Sequence, residues 1–545
     1  MSEYVVEVLT RRFDRLFNSV ERRNAESIWL DLATYLLPVQ ATGTEGNMNP
    51  GAQKSPHLKN STGVQAAFDL AATIHSTLTN PATKWSRYRF SDKTVRDPDA
   101  DHWLEDTTTR IHNAYVESNF SNEVSRAYSM YPTLGTMVLM HDEKPPGPSG
   151  EFKGFVFKAW SLFEVACAES LYGVVDTIVF RFKLTARQAF QRWGKELPES
   201  ITKAYVEDPE KEFEFYHGIF PRPDKDIKIN TTGHAAGKNR PYASVYIARK
   251  DQQIVEEDGY YEFPAYVVRW ATSPGELYGY GPGHIAIHDV KTLNKVIEMT
   301  LKSYAYAIGP MILAEQKAVF SSLDRRPFSV SIVKDISRIK TLESGARLDL
   351  ANFEIEQLKN DIKHTFFLDK LFLPDRKETG EMTAYEIATR TQQLQQVIGP
   401  TLGRLDTEFL NPLSKRSFNM MLRGNALLPR PASLSEGGDI NVEYVNALAR
   451  AQKIEDVTAL NQWTQDLAML AQLNGEVVDN LNVDTAARII AERRGVPLTA
   501  IQDEKVMQKI RQQRAQQQQQ AMALEAGVQM ADMQAKMRGT SNAQS

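Results

Sequence analysis

Two histidines in this 545-residue sequence have the spacing of a metal-binding pair. His284 and His288 are four residues apart, so they would lie on one face of a helix, and imidazole nitrogens are common zinc ligands. No H-E-x-x-H motif accompanies them, and Asp289 is the only nearby carboxylate on the same predicted helix. We therefore interpret them as an exposed or interfacial pair and predict no metal site.

Three aspartates match the opening of a calcium-binding loop. Asp97, Asp99 and Asp101 alternate with other residues, as the first ligands of such a loop do. The sixth position holds His102 in place of glycine, and the twelfth holds Thr108 in place of the closing glutamate. The aspartates fit a solvated helix N-terminus better, because carboxylates interact favourably with that end of the helix dipole.

A glycine-rich stretch, Gly279–Gly283, precedes a predicted helix but lacks the G-x-G-x-x-G spacing of a dinucleotide-binding loop, so we predict a structural turn. No G-x-x-x-x-G-K-[ST] motif occurs, and nothing in the sequence supports ATP hydrolysis. No set of nucleophile, base and orienting residue can be assigned either. We predict no catalytic, cofactor-binding or metal-binding residues and no enzyme activity.

Basic and aromatic residues alternate from Lys84 to Phe90, with Trp85 and Tyr88 among them. This pattern could stack on bases and contact phosphates. The same alternation is typical of an edge strand with one buried aromatic face, and we favour the strand. The net charge, 64 basic minus 68 acidic residues, is −4. That balance does not predict the strongly basic surface on which tight phosphate binding depends.

Composition indicates a folded protein, since 42% of residues are hydrophobic and 24% are charged. The length predicts several domains or layers. A single cysteine, Cys167, allows neither an intrachain disulfide nor a cysteine-based zinc site, which fits a reducing cytoplasm. The N-terminus lacks the apolar segment of a signal peptide, and no apolar run is long enough to span a bilayer. We expect a soluble protein without membrane contact.

The predicted elements indicate a mainly helical α+β fold. Helical spacing predicts helices from Glu3 to Leu37 and from Thr62 to Leu78, and a third that begins near Asp101. Short β-rich runs between Thr136 and Arg269 are separated by turn-rich stretches and do not alternate with helices, so they predict an α+β region. The β-rich runs are Met137–Met140, Phe155–Phe157, Val174–Phe182, Ser244–Arg249 and Tyr266–Trp270.

A helix of about two dozen residues is predicted after Gly283. One of its faces carries Ile287, Val290, Leu293, Ile297 and Leu301. A β-rich insert, Met311–Leu350, separates it from another helix, Asn352 to Leu368, and a loop with a proline and a glycine follows.

The longest predicted helix begins at a capping box formed by Thr383 and Glu386. Its apolar spacing continues to about Arg423, a length of about 60 Å at 1.5 Å per residue. Pro400 and Pro412 predict kinks. So long a helix is more typical of a strut in an assembly than of a compact core. The stretch beyond residue 501 is rich in Gln, Met and Ala and is predicted to form a helix that needs a partner, or a disordered tail.

Four stretches, taken in order, resemble the head-to-tail connector (portal) proteins of T7-like short-tailed phages. The resemblance covers most of the chain, from about Arg11 to Arg423. The four stretches are NSTGVQAAFDLAATIHSTLTNPATKWSRYRF (60–90), YPTLGTMVLMHDE (131–143), YGYGPGHIAIHDVKTLNKV (278–296) and TGEMTAYEIATR (379–390). None is a catalytic signature; their order and spacing carry the resemblance.

The resemblance implies a portal-type ring subunit in which each part of the chain has a named place. The implied parts are an α+β wing (1–283), two stem helices (284–308 and 352–368), a β-rich clip (309–351), a channel loop (369–381), a long kinked wing helix (382–428), a crown (429–500) and a C-terminal helical barrel or disordered tail (501–545).

The resemblance also implies the functional residues. Those of the channel loop, which would touch passing DNA, are Lys370, Asp375, Arg376, Lys377 and Glu378. Those of the clip, which would dock partners, are Arg325, Arg326, Lys334, Arg338 and Lys340. From the residues alone, a solvated surface loop is the favoured description of 369–381, and the resemblance reverses that preference.

The implied function is a channel for packaging and ejection of double-stranded DNA at one capsid vertex of the virion, assembled in the bacterial cytoplasm. The implied partners are further copies in a dodecameric ring, duplex DNA bound without regard to sequence, the terminase large subunit, major capsid and scaffolding proteins, tail adaptor and tail tube proteins, and internal core proteins. A non-portal tail adaptor or scaffold protein and a nucleic-acid enzyme subunit are the alternatives.

Overall fold

A computed structural model describes most of the chain in several stretches. These are residues 3–38, 58–90, 98–145, 151–228, 236–308, 311–314, 339–342, 348–371, 403–431, 440–444, 447–472, 475–494 and 506–520, with Met522 and Met530. Contacts divide the chain into two compact units. The first contains Met1–Ser86, Thr109–Leu427 and Asn446–Leu448, and the second contains Arg87–Thr108, Leu428–Val445 and Ala449–Ser545.

Helices form most of the described elements. They are α1 Glu3–Phe17, α2 Val20–Leu36, α3 Thr62–Leu78, α4 Pro98–Val116, α5 Phe120–Leu134, α6 Ala186–Trp193, α7 Glu199–Glu207, α8 Pro282–Ile308, α9 Leu348–Thr365, α10 Leu368–Leu371, α11 Asn411–Arg423, α12 Ala447–Ala471 and α13 Val483–Arg494. No helix in the described parts of the chain is long and apolar enough to cross a membrane.

The strands pair in antiparallel fashion in the two larger sheets. They are β1 Ser86–Phe90, β2 Thr136–Glu143, β3 Phe155–Trp160, β4 Val165–Glu169, β5 Val175–Thr185, β6 Glu212–Pro221, β7 Tyr242–Ala248, β8 Gln253–Tyr260, β9 Ala265–Arg269, β10 Met311–Ala314, β11 Ile339–Leu342 and β12 Ile440–Tyr444. The largest sheet has the order β4-β5-β6-β7-β8, and a second has the order β3-β2-β9. The mainly helical α+β prediction is confirmed.

Both faces of the five-stranded sheet are covered by helices of the same unit. Successive side chains of a strand point to opposite faces, and in β6 Phe215 packs with α6 and α7 while Tyr216 packs with α1. Phe13 and Phe17 of α1 are buried against Tyr216 because their spacing places them on one helical face. This sheet is therefore the core of an α+β layer that buries its own apolar residues.

The single first helix predicted from Glu3 to Leu37 is wrong, because the chain turns at Asn18 and Ser19. The Ser19 hydroxyl accepts a hydrogen bond from the backbone N–H of Arg22 at 3.3 Å and so begins α2. The predicted helix from Thr62 to Leu78 is confirmed. The prediction for the region from 136 to 269 missed β4, β6 and β8.

In the second unit, β1 and β12 pair as a two-stranded sheet, and Arg89 forms an ion pair with Glu443 at 2.8 Å. The indole N–H of Trp103 donates to the carbonyl of Leu428 at 2.9 Å. Arg511 pairs with Asp484 of α13 at 2.6 Å.

Candidate functional site

The N-terminus of α8 lies against the turn between α5 and β2, where two glycine-containing segments meet backbone to backbone. A Cβ atom on Gly135 would lie 2.2 Å from the carbonyl oxygen of Gly279, and one on Gly283 would lie 2.3 Å from that of Thr133. Gly135 also has a φ of 72°, the left-handed region that glycine enters without strain. The predicted turn at 279–283 is wrong in its bounds, since 279–281 are irregular and Pro282 and Gly283 form the start of α8; the glycines are needed for this close approach.

A second contact fixes the segment before α3 to the side of α8. The Asn294 side-chain oxygen accepts hydrogen bonds from the backbone N–H groups of Lys59 at 2.6 Å and Asn60 at 3.2 Å. Its amide group donates to the carbonyl of Val290 at 2.8 Å. A Cβ on Gly63 would lie 2.9 Å from Val290, so α3 also approaches α8 closely.

We call these contacts the α8 junction, defined by Lys59–Gly63, Pro132–Thr136, Gly279–Gly283 and Asn294. It joins three of the four stretches that carry the family resemblance. The fourth, Thr379–Arg390, lies outside the described residues. The junction fixes where α8 leaves the α+β layer, and so it constrains the direction of that helix.

Beyond the junction, α8 packs against α9, and several of its apolar side chains become exposed to solvent. Its predicted apolar face is buried at Ile287, Val290 and Leu293, but Leu301 is 56% exposed. Apolar side chains are exposed along both helices, namely Met299, Leu301 and Ile308 of α8 and Leu350 and Phe353 of α9. Several large exposed apolar side chains on two paired helices are a candidate for a surface that another protein covers.

A cavity of about 670 Å³ lies beside the start of α8. Ile28, Leu32, Trp270 and Ile285 are among the side chains that line it; we call it the α8 cavity.

The two histidines at metal-binding spacing both line this cavity. His284 Nδ1 accepts a hydrogen bond from the backbone N–H of Gly281 at 3.2 Å, and burial lowers the pKa of His284 to about 4. His288 is exposed. Among the described residues, no three His, Cys, Asp or Glu side chains come together as a metal site. The pair therefore lies at the edge of a largely apolar cavity.

A buried arginine joins the sheet to the helix that contains Pro412. The Arg269 guanidinium, 8% exposed, forms ion pairs with Glu169 and with Glu408, the latter at 2.8 Å. Glu408 lies in a π-helical turn, Asp406–Leu410, directly before α11. Pro412 has no N–H to donate to the carbonyl of Glu408, which favours a wider turn at this point. A kink was predicted at Pro412, and the structure has this π-helical turn directly before it; Pro400, the other predicted kink, lies outside the described residues.

A second arginine group holds α11 against the three-stranded sheet β3-β2-β9. Arg416, 4% exposed, donates to the carbonyl of His141 at 3.2 Å and to that of Glu262 at 3.0 Å. Arg423 forms two hydrogen bonds with the Glu262 carboxylate, at 2.6 and 2.8 Å. Sequence reasoning missed both arginine groups, since the ion-paired residues are separated by between 100 and 161 residues and no local pattern marks them.

The aromatic residues between Lys84 and Phe90 belong to a strand and its first flanking residue, as favoured from the sequence. Trp85 is 2% exposed and stacks on Tyr115, with ring centroids 5.5 Å apart. Tyr88 is 3% exposed. These rings are buried in the protein and are not available to stack on bases.

The predicted channel and clip residues fall mostly outside the described parts of the chain. Lys370 lies in α10, so the predicted loop 369–381 begins with helical residues. Lys340 lies in β11, opposite Leu313 of β10, which gives the predicted β-rich insert an antiparallel strand pair. The remaining predicted residues are outside, namely Asp375, Arg376, Lys377, Glu378, Arg325, Arg326, Lys334 and Arg338.

The described fold is thus an α+β layer and two paired helices, α8 and α9, joined by an insert with a strand pair. The family model of the bacteriophage head to tail connecting protein matches residues 8–501. The chain therefore belongs to this family, and the family predicted from the four stretches is confirmed.

Two relatives match along almost their whole length. The chain is 28% identical to the portal protein of Salmonella phage epsilon15, over 97% of this chain and 94% of that protein. It is 27% identical to the probable portal protein of Bordetella phage BPP-1, over 95% of this chain and 93% of that protein.

Proposed function

We propose that this chain is a portal subunit whose copies form a ring at one capsid vertex, around a channel for double-stranded DNA. The observation that carries the proposal is the family match from residue 8 to residue 501. The exposed apolar residues on α8 and α9 support it, because neighbouring copies would cover them in a ring. A dodecamer is the proposed ring.

In this proposal α8 and α9 form the stem, and residues 309–351 form the clip that the terminase large subunit and tail adaptor or tail tube proteins contact. The basic clip residues would serve this docking; they are Arg325, Arg326, Lys334, Arg338 and Lys340. Capsid, scaffolding and internal core proteins would contact other faces of the ring. The site of action is the virion, and assembly takes place in the bacterial cytoplasm.

Residues 369–381 would line the narrowest part of the channel. This loop holds four acidic and three basic residues. Lysine and arginine give transient phosphate contacts, and the carboxylates keep them weak, so the duplex slides. The overall charge of −4 is consistent with a conduit that does not retain DNA by tight binding. The chain would have no reaction of its own, and a separate motor would power packaging.

The direct test is negative-stain microscopy of the purified chain together with its mass from light scattering. Rings with a central hole and a mass many times 61.6 kDa are expected. A monomer or dimer at every salt concentration contradicts the proposal. Magnesium-dependent DNA cleavage or ATP turnover by the purified chain would favour a nucleic-acid enzyme subunit.

The channel loop has its own test. Removal of residues 375–378 is expected to leave rings intact and to lower the number of filled heads in a packaging reaction in vitro. Normal filling with normal DNA retention would show that this loop is not the constriction.

A further inference from the structure

A second pocket, of about 280 Å³, lies between α4, the neighbouring ends of β2 and β3, and the end of α11. Three basic side chains line it, namely Arg110 of α4, Lys144 directly after β2 and Lys153 just before β3. Glu117 is the acidic residue among those that line it, so the lining has a net charge of three minus one, or +2. We call it the α4 pocket.

The pairing of β2 with β3 brings the two lysines together. The Lys144 N–H donates to the carbonyl of Gly154 at 2.9 Å. A Cβ on Gly154 would lie 3.7 Å from Lys144 Nζ, so the Lys144 ammonium lies beside the residue that follows Lys153. Both lysines are exposed, and neither forms an ion pair with a carboxylate of the described residues. Two ammonium groups without such a partner therefore line one pocket.

The apolar part of the lining is fixed by packing. Phe155 is fully buried, and its ring centroid lies 4.9 Å from that of Phe152. The Phe152 N–H donates to the carbonyl of Gly424 at 3.4 Å, and a Cβ on Gly424 would lie 2.7 Å from Phe152. The backbone next to Lys153 is thus held against the end of α11, so little of it needs to be ordered when a ligand binds.

We propose that the α4 pocket binds a phosphate group. Like charges held close together repel one another, and a bound anion removes that repulsion. A phosphate monoester carries about −1.5 to −2 charge at pH 7 and three acceptor oxygens, which matches the +2 charge of the lining better than a single carboxylate does. Lysine and arginine are common phosphate partners, and the Asn113 amide can donate a further hydrogen bond.

The C-terminal turn of α4 also borders this pocket. Its partial charge of about −0.5 is smaller than the net charge of the lining side chains, so the pocket stays attractive to anions. The inference does not rest on the proposed ring, since one chain supplies every lining residue.

The first test is isothermal titration calorimetry of the purified full chain with inorganic phosphate, at a constant ionic strength set with chloride. Saturable binding at millimolar phosphate or below is expected. Lys144→Gln with Lys153→Gln should weaken it at least about ten-fold, since two charged hydrogen-bond donors are lost. Lys195→Gln with Lys250→Gln is the matched control, because both lysines are exposed in the same unit. Absence of saturable binding by the wild type, or equal binding by the two double variants, overturns the proposal.

The second test is Glu117→Gln, which removes the negative charge from the lining. Phosphate binding is expected to become at least about two-fold tighter, since a like charge is lost from beside the anion. Glu207→Gln, at an exposed position of the same unit, should leave binding unchanged. Unchanged or weaker binding by Glu117→Gln overturns the proposal.

Competition with a short DNA duplex identifies the source of the phosphate. Displacement of inorganic phosphate by the duplex supports the proposal and assigns the pocket to the phosphodiester of a nucleic-acid backbone. Duplex binding should then depend less steeply on salt concentration in the Lys144→Gln, Lys153→Gln variant. Binding of inorganic phosphate without competition by the duplex supports the proposal with free phosphate or a monoester as the ligand.

Discussion

The five-stranded sheet buries its apolar side chains, whereas the outer parts of α8 and α9 leave several of theirs exposed. The sheet is covered on both faces by helices of its own unit, and the Tyr216 and Phe215 side chains are fully buried. On α8 and α9 the apolar side chains of Leu301, Ile308 and Phe353 are exposed. The first region is completed by its own chain, whereas the second leaves apolar surface that neighbouring copies would cover in the proposed ring.

Buried polar groups of the sheet layer are also paired within the chain. In the sheet layer, His217 hydrogen-bonds Ser244 at 2.9 Å, and Arg22 donates to the carbonyls of Phe163 and Val165 at 2.9 and 3.0 Å. These bonds satisfy side chains that are almost completely buried. Substitutions in the layer should therefore change folding, and substitutions on the outer helices should change assembly.

The largest expected effect is that of Gly135→Ala in the α8 junction. It adds left-handed strain and a close contact with the carbonyl of Gly279, so we expect a loss of about 2–6 kcal/mol in the free energy of unfolding. Urea unfolding followed by tryptophan fluorescence measures it. Gly173→Ala is the control, with a φ of 71° and no atom within 4 Å of the added Cβ, and should lose only about 1 kcal/mol. If both variants lost the same free energy of unfolding, the close contact with the Gly279 carbonyl would not explain the effect of Gly135→Ala.

Arg269→Met should come next, with a loss of about 3 kcal/mol, because Glu169 and Glu408 would keep their charges in partly buried positions. Urea unfolding again measures the change. Addition of Glu408→Gln to this variant should recover part of the loss, since a neutral amide is less costly to bury than a carboxylate. A double variant less stable than Arg269→Met would contradict the ion-pair explanation.

A smaller effect concerns pH. Burial holds the pKa of His141 and His217 well below the ordinary value, so the unfolded chain binds protons that the folded chain does not. Stability is full above about pH 6.5 and falls as the pH drops, by up to about 1.4 kcal/mol per pH unit for each histidine. His217→Gln should reduce this slope when urea unfolding is compared at several pH values. A slope unchanged by His217→Gln would contradict this explanation.

The smallest effect on folding is expected on the outer helices. Leu301→Ser with Phe353→Ser should change the free energy of unfolding by less than about 0.5 kcal/mol per site, since both side chains are exposed. The same double variant should raise the concentration at half-assembly, measured by light scattering. Lower stability with unchanged assembly would show that these side chains contribute to folding and not to assembly. It would contradict the difference proposed between the sheet and the outer helices.

The sequence predicted local elements well and long-range pairs poorly. The apolar spacing of Ile287, Val290 and Leu293 identified α8 and its buried face, because helical periodicity is a local signal. The bond from Lys59 to Asn294 spans 235 residues, and no spacing rule relates the two.

In the candidate site, too, the sequence predicted local features and missed those that depend on tertiary packing. The break in the chain before α8 was recognised from Gly279–Gly283, because glycine and proline are strong local signals. The α8 cavity was not predicted, since a cavity depends on which elements pack together. The exposed turn between β4 and β5 was not predicted either, because its Leu171 and Tyr172 are ordinary strand residues in sequence. The channel and clip residues stay predictions, because the resemblance alone identifies them.

The π-helical turn at Asp406–Leu410 is equivalent to one extra residue accommodated within a helix. Deletion of the exposed Thr407 should restore α-helical spacing with little rotation, because the wide turn covers with one residue more about the same rotation as an α-helical turn. Arg416 and Arg423 would stay in place, and Gly403 and Arg404 would keep their direction. The turn therefore absorbs a one-residue insertion without changing the angle at which the preceding chain enters α11.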